Sequence, residues 1–250
     1  QDRAKQRGID FNIDIKQVSD KFDNQGKRCF LSGIELSRKT ASLDRLDSDL
    51  GYLYENVAWV HKDINVIKWD FKLEYFLDMC FLVNNFQNFK NLQIITVKSH
   101  KWKQGHENIS GKLWGDIQRD CKGGRRGKNR EIFFDLSIEV AWKKYLDQGC
   151  RCALTGRPIY FPVSMKDLSN KTASLDRIDS KGGYTEDNVW WVHKHINAMK
   201  WKLDLDKFKD ICGNITNHKK HIVSDEKLNY YLSIDSCKSY FFDPNKVPVL

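Results

Sequence analysis

A long internal repeat constrains this chain more than any other feature of its sequence. Residues 40–80, TASLDRLDSDLGYLYENVAWVHKDINVIKWDFKLEYFLDMC, align without a gap on residues 172–212, TASLDRIDSKGGYTEDNVWWVHKHINAMKWKLDLDKFKDIC, and 24 of those 41 positions are identical. Upstream, FNIDIKQVSDKFDNQGKRCFLSG at 11–33 aligns on FDLSIEVAWKKYLDQGCRCALTG at 134–156. Two copies of one unit predict a pseudo-twofold pair of modules rather than a solenoid. The modules fall at about 1–97 and 98–220, leaving 221–250 as a C-terminal extension. The second copy carries nine extra residues around Tyr160 to Asn170, which read as a longer hairpin loop.

Within each copy the expected order is helix, short strands, helix, an α+β pattern. Ile13, Ile15, Val18 and Phe22, matched by Leu136, Ile138, Ala141 and Tyr145, form one apolar helical stripe that ends near Gly26 or Gly149. The stretch TASLDR has short-strand character, and Gly51-Tyr52 or Gly182-Gly183-Tyr184 supplies a turn. Residues 57–68 and 189–200 read as helices, with Val57, Val60, Ile64 and Ile67 on one face.

Composition narrows the function classes. With 40% hydrophobic residues, 12% aromatics and four prolines, the chain is a packed globular protein rather than a disordered one. It contains no run of about 18 apolar residues and no apolar N-terminal leader, so the expectation is an intracellular protein without membrane contact. Seven cysteines with no CxxC pair fit reduced thiols. A net charge of +9 points to a polyanionic partner. Residues 98–130 hold ten Lys or Arg against three acids, together with Trp102 and Trp114, and read as a basic DNA-binding arm of the second module. Arg119, Arg125, Arg126 and Arg130 are its candidate phosphate contacts, and Arg7 holds the matching point of the first copy.

One constellation recurs in both copies. It is Asp44, Asn56, Asn65 and Lys68, then Asp176, Asn188, Asn197 and Lys200, at identical spacings. This pattern, with RCALTG, TASLDRIDS and NVWWVHKHIN around it, resembles the HNH (His-Me finger, ββα-metal) endonucleases of bacteriophages and mobile elements. The resemblance implies two tandem ββα-metal modules, each preceded by an amphipathic helix, in a monomer with internal pseudo-dimer symmetry. It implies a divalent cation, Mg²⁺ with Mn²⁺ or Ca²⁺ as substitutes, held by Asp44 with Asn65 and by Asp176 with Asn197. One carboxylate and one amide oxygen suit such a hard ion and leave room for a phosphate and water. Asn56 and Asn188 would pin a loop, Lys68 and Lys200 would bind DNA, and double-stranded DNA would be cut one strand per module.

The pattern departs from the family in two places. The usual general-base His after the metal-binding Asp is Arg45 or Arg177, and guanidinium cannot accept a proton near neutral pH. These arginines are expected to grip the scissile phosphate. The base is left among metal-bound hydroxide, Tyr52 or Tyr184, and a histidine brought in by the fold. The second departure concerns zinc, since the positions of the family's CxxC pairs hold Cys29/Ser32 with His61/Ile64, and Cys152/Thr155 with His193/Ile196. Two ligands per module are too few for structural zinc, so apolar packing and a Cys to His contact should replace it. The competing readings are a catalytically degenerate DNA-binding protein, a nickase with one active module, and an RNA-binding or RNA-cleaving protein.

Overall fold

The computed structural model describes residues 6, 8–88, 92, 95, 100–122, 131–162 and 171–233. Among these the chain is mixed α and β, with small two-stranded sheets and eight helices. The first copy runs β1 (Phe11–Asn12), α1 (Ile15–Asn24), β2 (Ala41–Arg45), β3 (Tyr52–Leu53), β4 (Val57–His61), α2 (Lys62–Lys68) and α3 (Leu73–Asn85). A hairpin, β5 (Gly105–His106) with β6 (Ile109–Ser110), and helix α4 (Gly111–Cys121) follow. The second copy then repeats the order: β7 (Phe134–Asp135), α5 (Ile138–Asp147), β8 (Ala173–Arg177), β9 (Tyr184–Thr185), β10 (Val189–His193), α6 (Lys194–Lys200) and α7 (Leu205–Lys219), with α8 (Asp225–Leu232) last.

Local chemistry sets these boundaries. Asp14 caps α1 through a reciprocal pair with Gln17, and Ser137 caps α5 through the Val140 amide. β2 pairs antiparallel with β4 and β8 with β10, in the same register, so Asp44 lies opposite Ala58 and Asp176 opposite Trp190. This corrects the reading of 57–68 and 189–200 as continuous helices. Spacings of three and four mimic a helical stripe, but the Val-rich first five residues of each segment find a strand partner and helix begins only at the following lysine. Gly51 and Gly183 are required by a close backbone approach. Tyr52 and Tyr184 each donate an amide proton to a carbonyl of the preceding β segment, and a Cβ on either glycine would stand 2.7 Å from that same oxygen.

The two compact units do not follow the repeat. Among the described residues, one comprises those up to Asn84 together with Phe208–Val223; the other comprises those of Asn85–Lys207 and 224–233. These units cross the repeat boundaries at about 97 and 220. In the first unit, α3 and α7, the same element of the two copies, pack together: His221 bonds the buried Asp78 at 2.8 Å, and burial, with the hydrogen-bonded Cys212 beside it, pushes the Cys80 thiol well up. In the second unit, Arg151 donates to the carbonyls of Gly156 and Leu232, and Arg157 stacks over Tyr231, so α8 completes that core.

The amphipathic helices differ in how they are covered. On α5, Ala141, Trp142 and Tyr145 are buried beneath Phe161. On α1 no residue is buried, and Ile15, Val18 and Phe22 line an open groove of about 680 Å³ with Leu36 and Trp59. The extra segment of the second copy begins in the core, with Phe161 buried, and residues 163–170 lie outside the described residues. The described part of the basic arm is likewise folded, with Trp114 buried against Phe134. No helix among the described residues is long and apolar enough to cross a membrane.

Candidate functional site

One strand and one helix build the site in each copy. Ser42 and Asp44 are two apart on β2 and share a face of the strand; Asn65 and Lys68 are three apart on α2 and share a face of the helix. The two faces meet. Asn65 Nδ2 donates to Ser42 Oγ at 2.7 Å, while Lys68 Nζ lies 3.2 Å from Asp44 Oδ2 and donates to the Arg45 carbonyl at 2.8 Å. In the second copy Asn197 Nδ2 donates to Ser174 Oγ at 2.8 Å, and Lys200 Nζ lies 3.2 Å from Asp176 Oδ2 and donates to the Arg177 carbonyl at 2.8 Å. With each amide nitrogen committed to a serine, the amide oxygen is the end that a cation could use.

Both carboxylates are buried, and burial pushes their pKa up while the adjacent ammonium pulls it down. Asp44 Oδ2 is buried without a hydrogen bond, because the Lys68 contact is an ion pair lacking hydrogen-bond geometry. A buried, underused carboxylate oxygen on a strand that faces the helix carrying Asn65, whose amide oxygen is free of the serine bond, is a donor set that fits a hard divalent ion. Among the described residues no group of three or more His, Cys, Asp or Glu converges, so such an ion would take its protein ligands from the Asp and Asn of one copy.

The copies differ in how the carboxylate is held: Lys200 also donates to Asp176 Oδ1 at 3.4 Å and to Ser180 Oγ at 3.2 Å. Trp190 Nε1 donates to Asp176 Oδ2 at 3.1 Å, whereas the residue opposite Asp44 is Ala58. Neither this indole nor Ser42 and Ser174 were among the expected site residues. The signal was available, since counting by two along the strand from Asp44 or Asp176 reaches the serine.

Several expected roles change. Lys68 and Lys200 are completely buried, which leaves them no surface from which to bind DNA; an i,i+3 lysine follows its asparagine onto the strand-facing side. Their ammonium groups instead hold the carboxylate. Arg45 Nη1 donates to the Ser48 and Leu50 carbonyls, and Arg177 Nη1 to the Gly182 carbonyl, with each guanidinium over Tyr52 or Tyr184. One arm of each arginine therefore ties the strand to its loop instead of reaching for a phosphate. Asn56 accepts from the Asp47 amide and donates to the Asp47 and Gly51 carbonyls; Asn188 does the same with Asp179 and Gly183. Asn56→Ala removes three such bonds and should cost about 2–3 kcal/mol in chemical denaturation. Burial raises the Tyr184 phenol pKa, which moves it away from serving as a base at neutral pH. Arg119 is half exposed and bonded to Asp116. Arg7, Arg125, Arg126 and Arg130 lie outside the described residues.

The Cys and His positions that the resemblance would make zinc ligands serve the fold. The His61 amide donates to Cys29 Sγ at 3.4 Å, and the imidazole Nδ1 accepts from Asp63 N, capping α2. His193 caps α6 in the same way through His195 N and is buried, and burial drives its pKa well below the ordinary 6.5. A neutral ring is required, because a protonated Nδ1 cannot accept. The folded pKa is depressed, so the unfolded chain binds the extra proton and stability falls as pH drops below about 6.5. The expected slope from His193 is up to about 1.4 kcal/mol per pH unit in denaturation midpoints between pH 6.5 and 5, and His193→Gln should flatten it.

No protein-family profile matches the chain, and no solved structure matches it. It is similar to an uncharacterized protein, R423, of Acanthamoeba polyphaga mimivirus, at 21% identity over 90% of this chain and 38% of that protein. It is also similar to an uncharacterized 29.0 kDa protein from the dda-modA intergenic region of Enterobacteria phage T4, at 27% identity over 46% of this chain and 44% of that one. The chain thus spans less than half the length of these curated relatives.

Proposed function

We propose that this protein is a divalent-metal-dependent DNA endonuclease of the HNH type, of homing or restriction kind, in which each copy hydrolyses a phosphodiester in one strand. The observation that carries the reading is the doubled arrangement of a buried carboxylate, an asparagine oriented by a serine, and a buried lysine, on the same strand and helix in each copy. Chance burial of an Asp and a Lys explains one such pair poorly and two in register worse. The net charge of +9 and the viral and phage relatives accord with a nucleic-acid substrate.

The bound ion would neutralise charge that develops on the phosphate and leaving oxygen. Asp44 with Asn65, and Asp176 with Asn197, would hold it, and Ser42 and Ser174 fix which end of each amide faces it. Lys68 and Lys200 hold the carboxylates in place, and Asn56 and Asn188 fix the loops that follow. Among the described residues Tyr184 is disfavoured as general base by its raised pKa, and Arg45 and Arg177 cannot serve. Incubating supercoiled plasmid with Mg²⁺ or Mn²⁺ should yield nicked and linear DNA, and EDTA should prevent both. A second reading has one specific observation in its favour: the lysine ammonium already neutralises each carboxylate. On that reading the chain binds DNA without cutting, and selected target duplexes stay intact in every metal.

The Trp190 bond predicts unequal sites. Bonds to a ligating carboxylate from behind typically change metal affinity about tenfold or more, so Mn²⁺ should bind the second copy more tightly than the first. Trp190→Phe should abolish the difference in a two-step calorimetric titration; identical titrations before and after the substitution would remove Trp190 from the site.

A further inference from the structure

Trp69 and Trp201 occupy the same repeat position, the residue that ends α2 and α6 directly after Lys68 and Lys200. Both have positive φ, at 49° and 48°, with ψ of −123° and −110°. A bulky L-residue is strained there, and helices that end on a positive φ normally use Gly or Asn. Burial does not offset the strain, because Trp69 is 63% and Trp201 55% exposed. At Trp69 a T-shaped contact with Phe71, 6.3 Å between centroids, offsets only part of the strain, so stability alone would favour a glycine at both places. Instead the chain carries its largest side chain twice, on the surface, in a backbone conformation that penalises it. Each ring belongs to the residue next to the lysine whose ammonium lies 3.2 Å from the site carboxylate. The Lys202 ammonium stands 5.2 Å from the Trp201 ring centroid, adding a cation beside the exposed aromatic face.

We infer that Trp69 and Trp201 are DNA-contacting residues, each packing its ring against a base or deoxyribose beside the phosphate addressed by the same copy. The inference rests on the nuclease reading above and adds to it the groups that grip the substrate next to the cut. An exposed indole supplies a flat apolar face that any base can stack on, and apolar side chains wedged at base steps unstack them and kink the duplex. The strained backbone fixes the ring at the helix end rather than leaving it to lie flat on the protein.

The experiment uses the full chain and its variants W69G, W201G, the double glycine variant, and W69F/W201F. Binding to a fluorescent mixed-sequence duplex in EDTA is followed by anisotropy, beside thermal unfolding of each protein. The expected result is that each glycine leaves the melting temperature unchanged or higher, weakens DNA binding about tenfold, and that phenylalanine recovers part of the loss. Affinity within twofold of the parent for the double glycine variant overturns the inference. So does a lower melting temperature for both single glycine variants, which would show the rings serving the fold. Plasmid cleavage by the parent protein in Mg²⁺ reports separately on the nuclease reading. A parent that binds through these tryptophans yet never cuts keeps the contact and sinks the catalysis.

Discussion

Asp176→Asn should turn a double-strand cutter into a nickase, with open-circular plasmid accumulating and linear product lost. The substitution keeps the shape of the side chain but removes the negative charge that would hold the ion in the second copy, while Asp44 in the first is untouched. Loss of metal-assisted charge stabilisation should slow cleavage of one strand by about a hundred- to a thousandfold. Asp44→Asn should give the same gel pattern with the other strand cut, and the double variant should cut neither. The strand identity, read by primer extension on the nicked product, makes the test stringent. Because Lys200 is buried against Asp176, removing its charged partner could cost about 3–5 kcal/mol, so unfolding and DNA binding of each variant must be measured alongside. A well-folded D176N protein that still linearises plasmid at the parental rate would overturn the division of labour between the copies. Retained cutting by the folded double variant would remove both carboxylates from the chemistry.

What the sequence discloses here depends on whether the controlling contact is local. Asp44, Asn56, Asn65 and Lys68 recur at fixed spacing because a strand, a loop and a helix seven residues long hold them, so their association was legible. The pairing of β4 with β2 was not, since Val57, Val60, Ile64 and Ile67 satisfy a helical period equally well and only a partner strand far along the chain decides. A similar ambiguity governs charge. Lysine in a chain of net charge +9 reads as a phosphate contact, yet Lys68 and Lys200 are placed by the helix face they share with Asn65 and Asn197, and that face is turned inward. Arg45 and Arg177 show the same competition, with backbone carbonyls three to five residues on claiming Nη1. The division into units was not legible: Cys80 and Cys212 share a repeat position, but nothing in the sequence says that the two copies of this helix meet, nor that His221 bonds Asp78.

Phe161→Ala should be among the most destabilising single substitutions in the second unit, at about 4 kcal/mol, even though it falls where the sequence suggests a dispensable insertion. The ring is 1% exposed and its centroid lies 4.8 Å from both Tyr145 and Trp191 and 6.2 Å from Trp142. Truncation would forfeit the transfer energy of the ring, leave a cavity beneath α5, and break two edge-to-face pairs. In thermal unfolding that loss corresponds to about 8–16 °C. The first copy supplies the control. Among the described residues α1 has no such cover, and Phe22, at the repeat position of Tyr145, pairs with Trp59 beside the open groove. Phe22→Ala should therefore cost less, about 1–2 kcal/mol, because that ring is only partly buried. The contrast carries to function through β10, where Trp191 packs under Phe161 and the adjacent Trp190 bonds Asp176. Loosening the core beneath that strand should weaken Mn²⁺ binding at the second copy before the unit unfolds. Equal costs for Phe161→Ala and Phe22→Ala, or a cost for Phe161→Ala below about 1 kcal/mol, would show that the extra residues are a surface loop after all.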